Sequence, residues 1–425
     1  MARFGEHLKL VWGLFGLAGA VGGGLIQAAD SHKPWPVVIS GDTLGYLSPC
    51  GCTDPMSGGI RRRATVVREL GKDVLFVDSG SLTKDVGRQS EMKAETMAEA
   101  LKSAGVDAIN LTSLDAQLGR GSVLSIARLS GGKLIASQLP EGNELGLPRW
   151  LGEGPFLVGG VTTKPHALAA SLGLQPKALE EAVAEFALEA ISRTKTPVLL
   201  LEGGLEEARV LAKDYPSLRL IVYRTIGDPP AEPLREGDTL LVTPGDRGKS
   251  VLKLSFSDGA FQAYQPLSLG PEHADDRHVA SIYSGYLKRV TSSSLLEQVP
   301  RTKGAPFAGT AACISCHGSA GKIWKKSAHA HALATLEKEG HSRDPDCVSC
   351  HVVGLSLTTG FRSRNATPQL ADVGCESCHG TGGLHSKKPY LHKMAHVGDK
   401  ACASCHTAEN SPRFDFAAYW AKIRH

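Results

Sequence analysis

Ten cysteines are spread unevenly along the 425 residues: Cys50 and Cys52 stand alone near the start, and the other eight fall between Cys313 and Cys405. Those eight spell one motif four times, as Cys313-Ile-Ser-Cys316-His317, Cys347-Val-Ser-Cys350-His351, Cys375-Glu-Ser-Cys378-His379 and Cys402-Ala-Ser-Cys405-His406. At this spacing two thiols can add to the two vinyl groups of a haem, and the adjacent histidine is held close enough to ligate the iron. A disulfide framework gives no reason for the histidines. Zinc would accept Cys pairs of this spacing in two four-thiolate sites, and a redox dithiol needs only one pair. With 16 histidines in the chain, four chance placements after CxxC have a probability on the order of 10⁻⁶. The reading is four covalently bound haems c.

Each iron has a sixth position. Outside the motifs, residues 301–425 hold seven histidines (329, 331, 341, 385, 392, 396 and 425) and one methionine, Met394. Methionine can therefore serve one haem at most, and bis-histidine ligation, with its lower potentials, is the default. About 31 residues per haem, 125 divided by 4, leave little chain for an ordinary core, so the macrocycles must supply much of the apolar surface. Regular structure should be sparse, with one helix over 322–339 and another near 415–424. The segment carries 16 Lys+Arg against 9 Asp+Glu. Eight haem propionates would offset most of that balance, so it reads as propionate partners and not as a polyanion site.

This segment resembles the tetrahaem domain of the cytochrome c554 type. The resemblance rests on the four motifs, on Trp324-Lys-Lys-Ser-Ala-His329-Ala-His331-Ala, on Val373-Gly-Cys-Glu-Ser-Cys-His-Gly380 followed by His385, and on Tyr419-Trp-Ala-Lys-Ile-Arg-His425. It implies that His317, His351, His379 and His406 are proximal ligands and that His329, His385 and His425 are distal ones, with His331 the rival of His329. The family pattern also includes a haem with no protein distal ligand, which three distal candidates for four haems would fit. His392 or His396 could fill the gap instead.

The start of the chain reads differently. Arg3 and Lys9 precede an uncharged apolar run over 10–26, and Ala28 and Ala29 follow. This is the layout of a secretory signal peptide over 1–29, the run being short for a membrane span of about 20 apolar residues; an uncleaved anchor is the competing reading. Export to a periplasm is expected. Composition, at 42% apolar and 21% charged, excludes disorder as the main state, and a net charge of +4 argues against nucleic acid as a partner.

Residues 35–270 alternate strand-like apolar runs (36–40, 74–77, 108–111, 134–136, 198–201, 220–223 and 239–243) with helical stretches such as 61–70, 90–104 and 177–193. That pattern argues an α/β domain with a sheet covered on both faces. A helix at 275–290 and a Pro/Gly/Ser-bearing linker, Thr291–Pro306, make residues 271–306 the connection to a haem domain over 307–425. The α/β part resembles the 5′-nucleotidase type of metallophosphoesterase, through Ser40-Gly-Asp42-Thr-Leu44-Gly, Gly58-Gly-Ile-Arg-Arg-Arg-Ala64, Leu75-Phe-Val-Asp78-Ser-Gly80-Ser81, Gly105-Val-Asp-Ala-Ile-Asn-Leu111 and Pro197-Val-Leu-Leu-Leu201. The resemblance implies an α/β sandwich with a two-metal site. Aligned without gaps, Asp42 is kept, but the remaining ligand positions fall on Leu44, Ser81, Ser113, Leu114, Glu202, Thr225 and Gly227. One carboxylate cannot replace the set that a two-metal displacement needs, so no phosphoesterase activity is expected.

Pro49-Cys50-Gly51-Cys52 follows the first strand, where open sheets present ligand crevices. The pair reads as a strained disulfide, a soft-metal site or a redox dithiol. Gly58-Gly59 with Arg61–Arg63 reads as a solvated helix end or an anion site. The function expected of the whole is an exported electron carrier working between periplasmic or membrane-bound redox proteins. The alternative is an enzyme that reduces or oxidises a small nitrogen or oxygen compound at a five-coordinate haem.

Overall fold

A computed structural model describes residues 34–49, 56–407, 410, 411 and 413–425. The segment read as a signal peptide and the pair Cys50 and Cys52 lie outside the described residues. Among the described residues are twelve strands: β1 (Trp35–Ser40), β2 (Leu75–Asp78), β3 (Ala108–Asn110), β4 (Leu134–Ile135), β5 (Trp150–Glu153), β6 (Phe156–Thr162), β7 (Thr196–Glu202), β8 (Leu220–Val222), β9 (Leu234–Glu236), β10 (Thr239–Val242), β11 (Ser250–Ser257) and β12 (Ala260–Ser268). They form two six-stranded sheets, ordered β12-β11-β1-β2-β3-β4 and β5-β6-β7-β8-β10-β9.

The alternation of side chains along β1 shows why the strands read as unbroken apolar runs. Val37 and Ile39 point at the second sheet, meeting Phe156, Val158, Val198 and Leu200. Val38 points the other way, into a layer of helices that includes Ile60–Glu69, Arg88–Ala104 and Arg277–Ser292. The second sheet is backed by Leu179–Ser192 and Leu205–Asp214, through Val183, Phe186, Ala208 and Leu211. The inner strands of both sheets are buried on both faces, which removes the polar alternation of a half-exposed strand. The expected covered sheet is thus two sheets, each covered by the other and by helices.

The helix Arg277–Ser292 is no free-standing connector. Val279, Tyr283, Tyr286 and Val290 join the helical layer of the first sheet, and its Arg289 reaches Glu95 Oε2 at 2.7 Å and Met92 O at 3.0 Å. Beyond it, a small apolar cluster forms around Leu333, Leu336, Val348, Val352, Val353 and Phe361.

The helix expected over 322–339 is broken into three pieces: Gly318–Lys326, a 3₁₀ turn at Ala328–His331, and Ala332–Glu339. Ser327 adopts an extended conformation (φ −85°, ψ 157°) that ends the first piece, and its hydroxyl donates to Trp324 O at 2.7 Å. The break re-aims His329, which a continuous helix would carry along its own face. Sequence reasoning also underestimated local order at the motifs, which ride on short helices at Thr310–Cys316, Pro345–His351, Cys375–His379 and Asp399–Ala403. Tyr419-Trp420 lies on the helix Phe416–Ile423.

Candidate haem centre and the cleft of the α/β sandwich

The motif histidines sit at or just past the ends of their short helices, and the chain folds back to bring other histidines opposite them. His317 faces His385 with ring centres 6.3 Å apart, His329 faces His406 at 6.2 Å, and His379 faces His425 at 5.9 Å. Two imidazoles bound to one iron at about 2 Å each stand with ring centres roughly 6 Å apart. Among the described residues no second histidine ring stands opposite His351 at such a spacing. Among the described residues it is His329 and not His331 that faces a motif histidine, while His396 lines the cavity beside His379.

Second partners fix the tautomers. The Nδ1 of His351 lies 2.7 Å from Ala332 O, that of His379 3.1 Å from Ala395 O, and that of His385 2.7 Å from His392 O. His425 Nδ1 reaches Ile423 O at 3.0 Å, and His406 Nδ1 reaches Ser411 Oγ at 2.9 Å. Each carbonyl requires a proton on Nδ1, which leaves the Nε2 lone pair for a metal. A cavity of about 240 Å³ opens between Cys375, Cys378, His379 and His425 and is walled by Trp324, Val373, Val397, Trp420 and Ile423. Two thiols, two facing imidazoles and an apolar wall fit a flat, covalently held macrocycle, so the donor set suits haem c.

The eight thiols carry no disulfide. Cys313 neighbours Cys375, Cys350 neighbours Cys405, and Cys378 lies near Cys402. The attachment points therefore follow one another in space as first, third, fourth, second. Glu376, buried between two of these thiols, accepts from the backbone N–H groups of Ala308, Gly309 and Gly382 at 2.6–2.8 Å, tying two loops to its own helix.

The second motif abuts the α/β domain, a contact the sequence did not reveal. Asp344 caps the helix Pro345–His351 by accepting from Asp346 N at 3.0 Å. It also accepts from Gln89 Nε2 at 2.6 Å and from the Tyr286 hydroxyl at 3.4 Å. Lys93 pairs with Asp346 at 2.5 Å. Burial pushes the Asp344 carboxyl up, but His341, Lys93, Gln89 and the Asp346 N–H outweigh it and hold the group below the usual range. His341 Nε2 lies 3.1 Å from the Tyr283 hydroxyl and its Nδ1 lies 3.9 Å from Cys347 Sγ. His341, Asp344 and Cys347 are the one cluster of three metal-ligating side chains among the described residues, and the haem motif already claims its thiol.

In the α/β domain the ligand-aligned positions do converge, at the C-terminal ends of the strands. Ser113 donates through N and Oγ to Glu202, each at 2.6 Å. Between Glu202 and Asp42 stands Arg224, with Nε 2.6 Å from Asp42 Oδ1 and one terminal nitrogen 3.6 Å from Glu202 Oε1. Asp42, Leu44 and Ser81 keep left-handed backbone angles of +44°, +54° and +55°. Burial lifts the Asp42 carboxyl to about 7, against the pull of Arg224. A two-metal centre does not fit here. The cleft offers two carboxylates already paired with a guanidinium, one of them, Glu202, at an aligned histidine position, and the other aligned histidine positions are Leu44, Leu114, Thr225 and Gly227.

Of the arginines after Gly59, Arg61 and Arg62 keep some solvent contact at the helix start and Arg63 does not. Arg61 pairs with Asp275 at 3.0 Å and lies over the Tyr283 ring, and Arg62 donates to Met56 O and Leu269 O. Arg63 is buried beside Asp78 at 3.2 Å.

Comparison with known proteins agrees with this division. Residues 312–380 match the family described as cytochrome c554 and c-prime. Cytochrome c-554 of Nitrosomonas europaea is 34% identical over a 143-residue alignment covering 25% of this chain and 61% of the relative. The chain thus spans less than two thirds of that relative's length. A 5′-nucleotidase precursor from Thermus thermophilus superposes with a TM-score of 0.52 at 19% identity, over 72% of this chain and 68% of the other. The NAD nucleotidase of Haemophilus influenzae gives 0.52 at 13% identity, over 66% and 64%. At these identities the likeness is one of fold.

Proposed function

We propose that the protein is an exported tetrahaem c-type cytochrome, joined to a 5′-nucleotidase-like sandwich, that passes electrons between periplasmic or membrane-bound redox proteins. The supporting observation is the pairing of three motif histidines with His385, His425 and His329 at a spacing that suits iron between them. Bis-histidine haems are coordinatively full, so they exchange electrons without binding substrate. Thiols of neighbouring motifs in contact would keep the four macrocycles within short range of one another. The residues that hold the group are Cys313, Cys316, Cys347, Cys350, Cys375, Cys378, Cys402 and Cys405 with their four histidines.

A second reading attaches to His351, which has no histidine opposite it among the described residues. A haem held there would offer an open iron face to a small nitrogen or oxygen compound. Pyridine haemochrome content and electron paramagnetic resonance of the purified secreted protein test both readings. Four haems per chain, three low-spin and one high-spin, agree with the proposal and direct attention to His351. A high-spin signal shifted by nitric oxide or cyanide would put the enzyme reading ahead. Four low-spin haems would remove the enzyme reading, and absence of covalent haem would overturn both.

A further inference from the structure

We infer that the Arg224 guanidinium permanently occupies the place that a metal cation holds in this fold, and that the sandwich is locked by it into a metal-independent scaffold. Three observations carry this. Asp42 and Glu202 each expose only 1% of their surface, and Arg224, 25% exposed, reaches both. Apart from that ion pair the Asp42 carboxylate receives no well-aligned hydrogen bond, so the guanidinium is its main compensation; an isolated buried carboxylate is strongly disfavoured. Finally, Asp42 follows β1 of one sheet whereas Glu202 ends β7, and Arg224 follows β8, of the other. The cation therefore ties the two sheets together at the rim where a ligand crevice would open.

The backbone at the same rim is strained. Left-handed conformations at Asp42, Leu44 and Ser81 cost strain in non-glycine residues and are retained where the surroundings over-determine them. Guanidinium is planar, always charged and weakly hydrated, which suits a fixed position between two buried carboxylates better than an ammonium does.

The test uses the full-length, haem-loaded protein. The wild type should bind no Mn²⁺ by titration calorimetry, and EDTA should leave its melting temperature unchanged. Stoichiometric Mn²⁺ binding, or a melting temperature lowered by EDTA, overturns the inference even if every variant misfolds. Arg224→Ala should melt several degrees lower at pH 8.5, with a smaller loss at pH 5.5. The groups around Asp42 are Arg224, Ser81, Asp78 with its partner Arg63, and Glu202 with its neighbour Asp115. With Arg224 gone, Asp42 keeps its proton at the lower pH and needs no counter-charge. Millimolar methylguanidinium should restore stability to the variant, and methylammonium should do so less well. Equal melting of Arg224→Ala and wild type at both pH values, or no rescue by either added cation, refutes a charge-replacing role. Asp42→Asn combined with Arg224→Gln should recover most of the loss at pH 8.5 if the pair is electrostatic; failure to recover would assign the effect to packing.

Discussion

Replacing Asp344 with alanine probes the contact that joins the α/β sandwich to a haem-attachment helix. The carboxylate is 4% exposed and serves four neighbours: the Asp346 N–H, Gln89, Tyr286 and His341. Loss of an N-cap costs about 1 kcal/mol. A hydrogen bond to a charged acceptor contributes roughly 1.5–3 kcal/mol, and Gln89 and Tyr286 would be left with unmet polar atoms. Because these contributions overlap, about 3 kcal/mol is expected in all. Residues 34–425 form one compact unit, for which an unfolding entropy of about 2.1 cal/mol/K per residue gives roughly 0.8 kcal/mol/K, so the melting temperature should fall by about 4 °C. Asp344→Asn keeps an acceptor for the cap and should lose about 1 kcal/mol. Urea unfolding followed by tryptophan fluorescence and by the haem Soret band measures both. Because His351 ends the same helix, a high-spin haem signal should broaden in Asp344→Ala while the low-spin signals stay sharp. A loss below about 0.5 kcal/mol, or alanine and asparagine variants that behave alike, would show that the contact is ornamental.

Other perturbations follow from the same structure. His425→Ala should convert one low-spin haem to high-spin in the paramagnetic resonance spectrum, whereas His331→Ala should leave the spectrum as it is; the reverse result would reassign the distal ligands. Asp115 is lifted to about 7, by burial first and Glu202 after hydrogen bonding from Thr112 opposes it. Its folded value lies above its unfolded one, so the stability it lends is full below about pH 4 and is lost as pH rises toward 7. Asp115→Asn should flatten urea midpoints across that window, and an unchanged slope would contradict the assignment. Arg63 is 2% exposed and pairs with a fully buried Asp78. Arg63→Met should therefore cost about 3–5 kcal/mol by stranding the carboxylate, and a loss under 1 kcal/mol, read from urea midpoints at pH 8, would count against the pair.

The most legible parts of the molecule were those whose chemistry is local in sequence. CxxCH is complete within five residues, and a strand buried on both faces announces itself as an apolar run. β6 was harder, because Gly159 and Gly160 interrupt its run. Their small size is required by the close approach of Phe186 and Asn110. β11 and β12 carry a recognisable hairpin cue, Asp258-Gly259, that the apolar-run criterion passed over because most residues of β12 are partly exposed. Arg224 could not be found by aligning ligand positions, since it replaces a metal and no ligand. The grip of Gln89 and Tyr286 on Asp344 joins positions 255 and 58 residues apart, and nothing in either local stretch signals it.

The facing histidines also have a consequence for how the chain reaches its final form. The three pairs span 317 to 385, 329 to 406 and 379 to 425, and each span overlaps the next. Closing a long loop carries an entropy cost that a bond at its base must repay. Interleaved loops share their segments, so closing one shortens the search for the others. An iron bound between such partners acts as a cross-link that shrinks the unfolded ensemble, as a disulfide does. With iron bound between those partners, the segment would be laced as well as packed, and its assembly would become a concerted event.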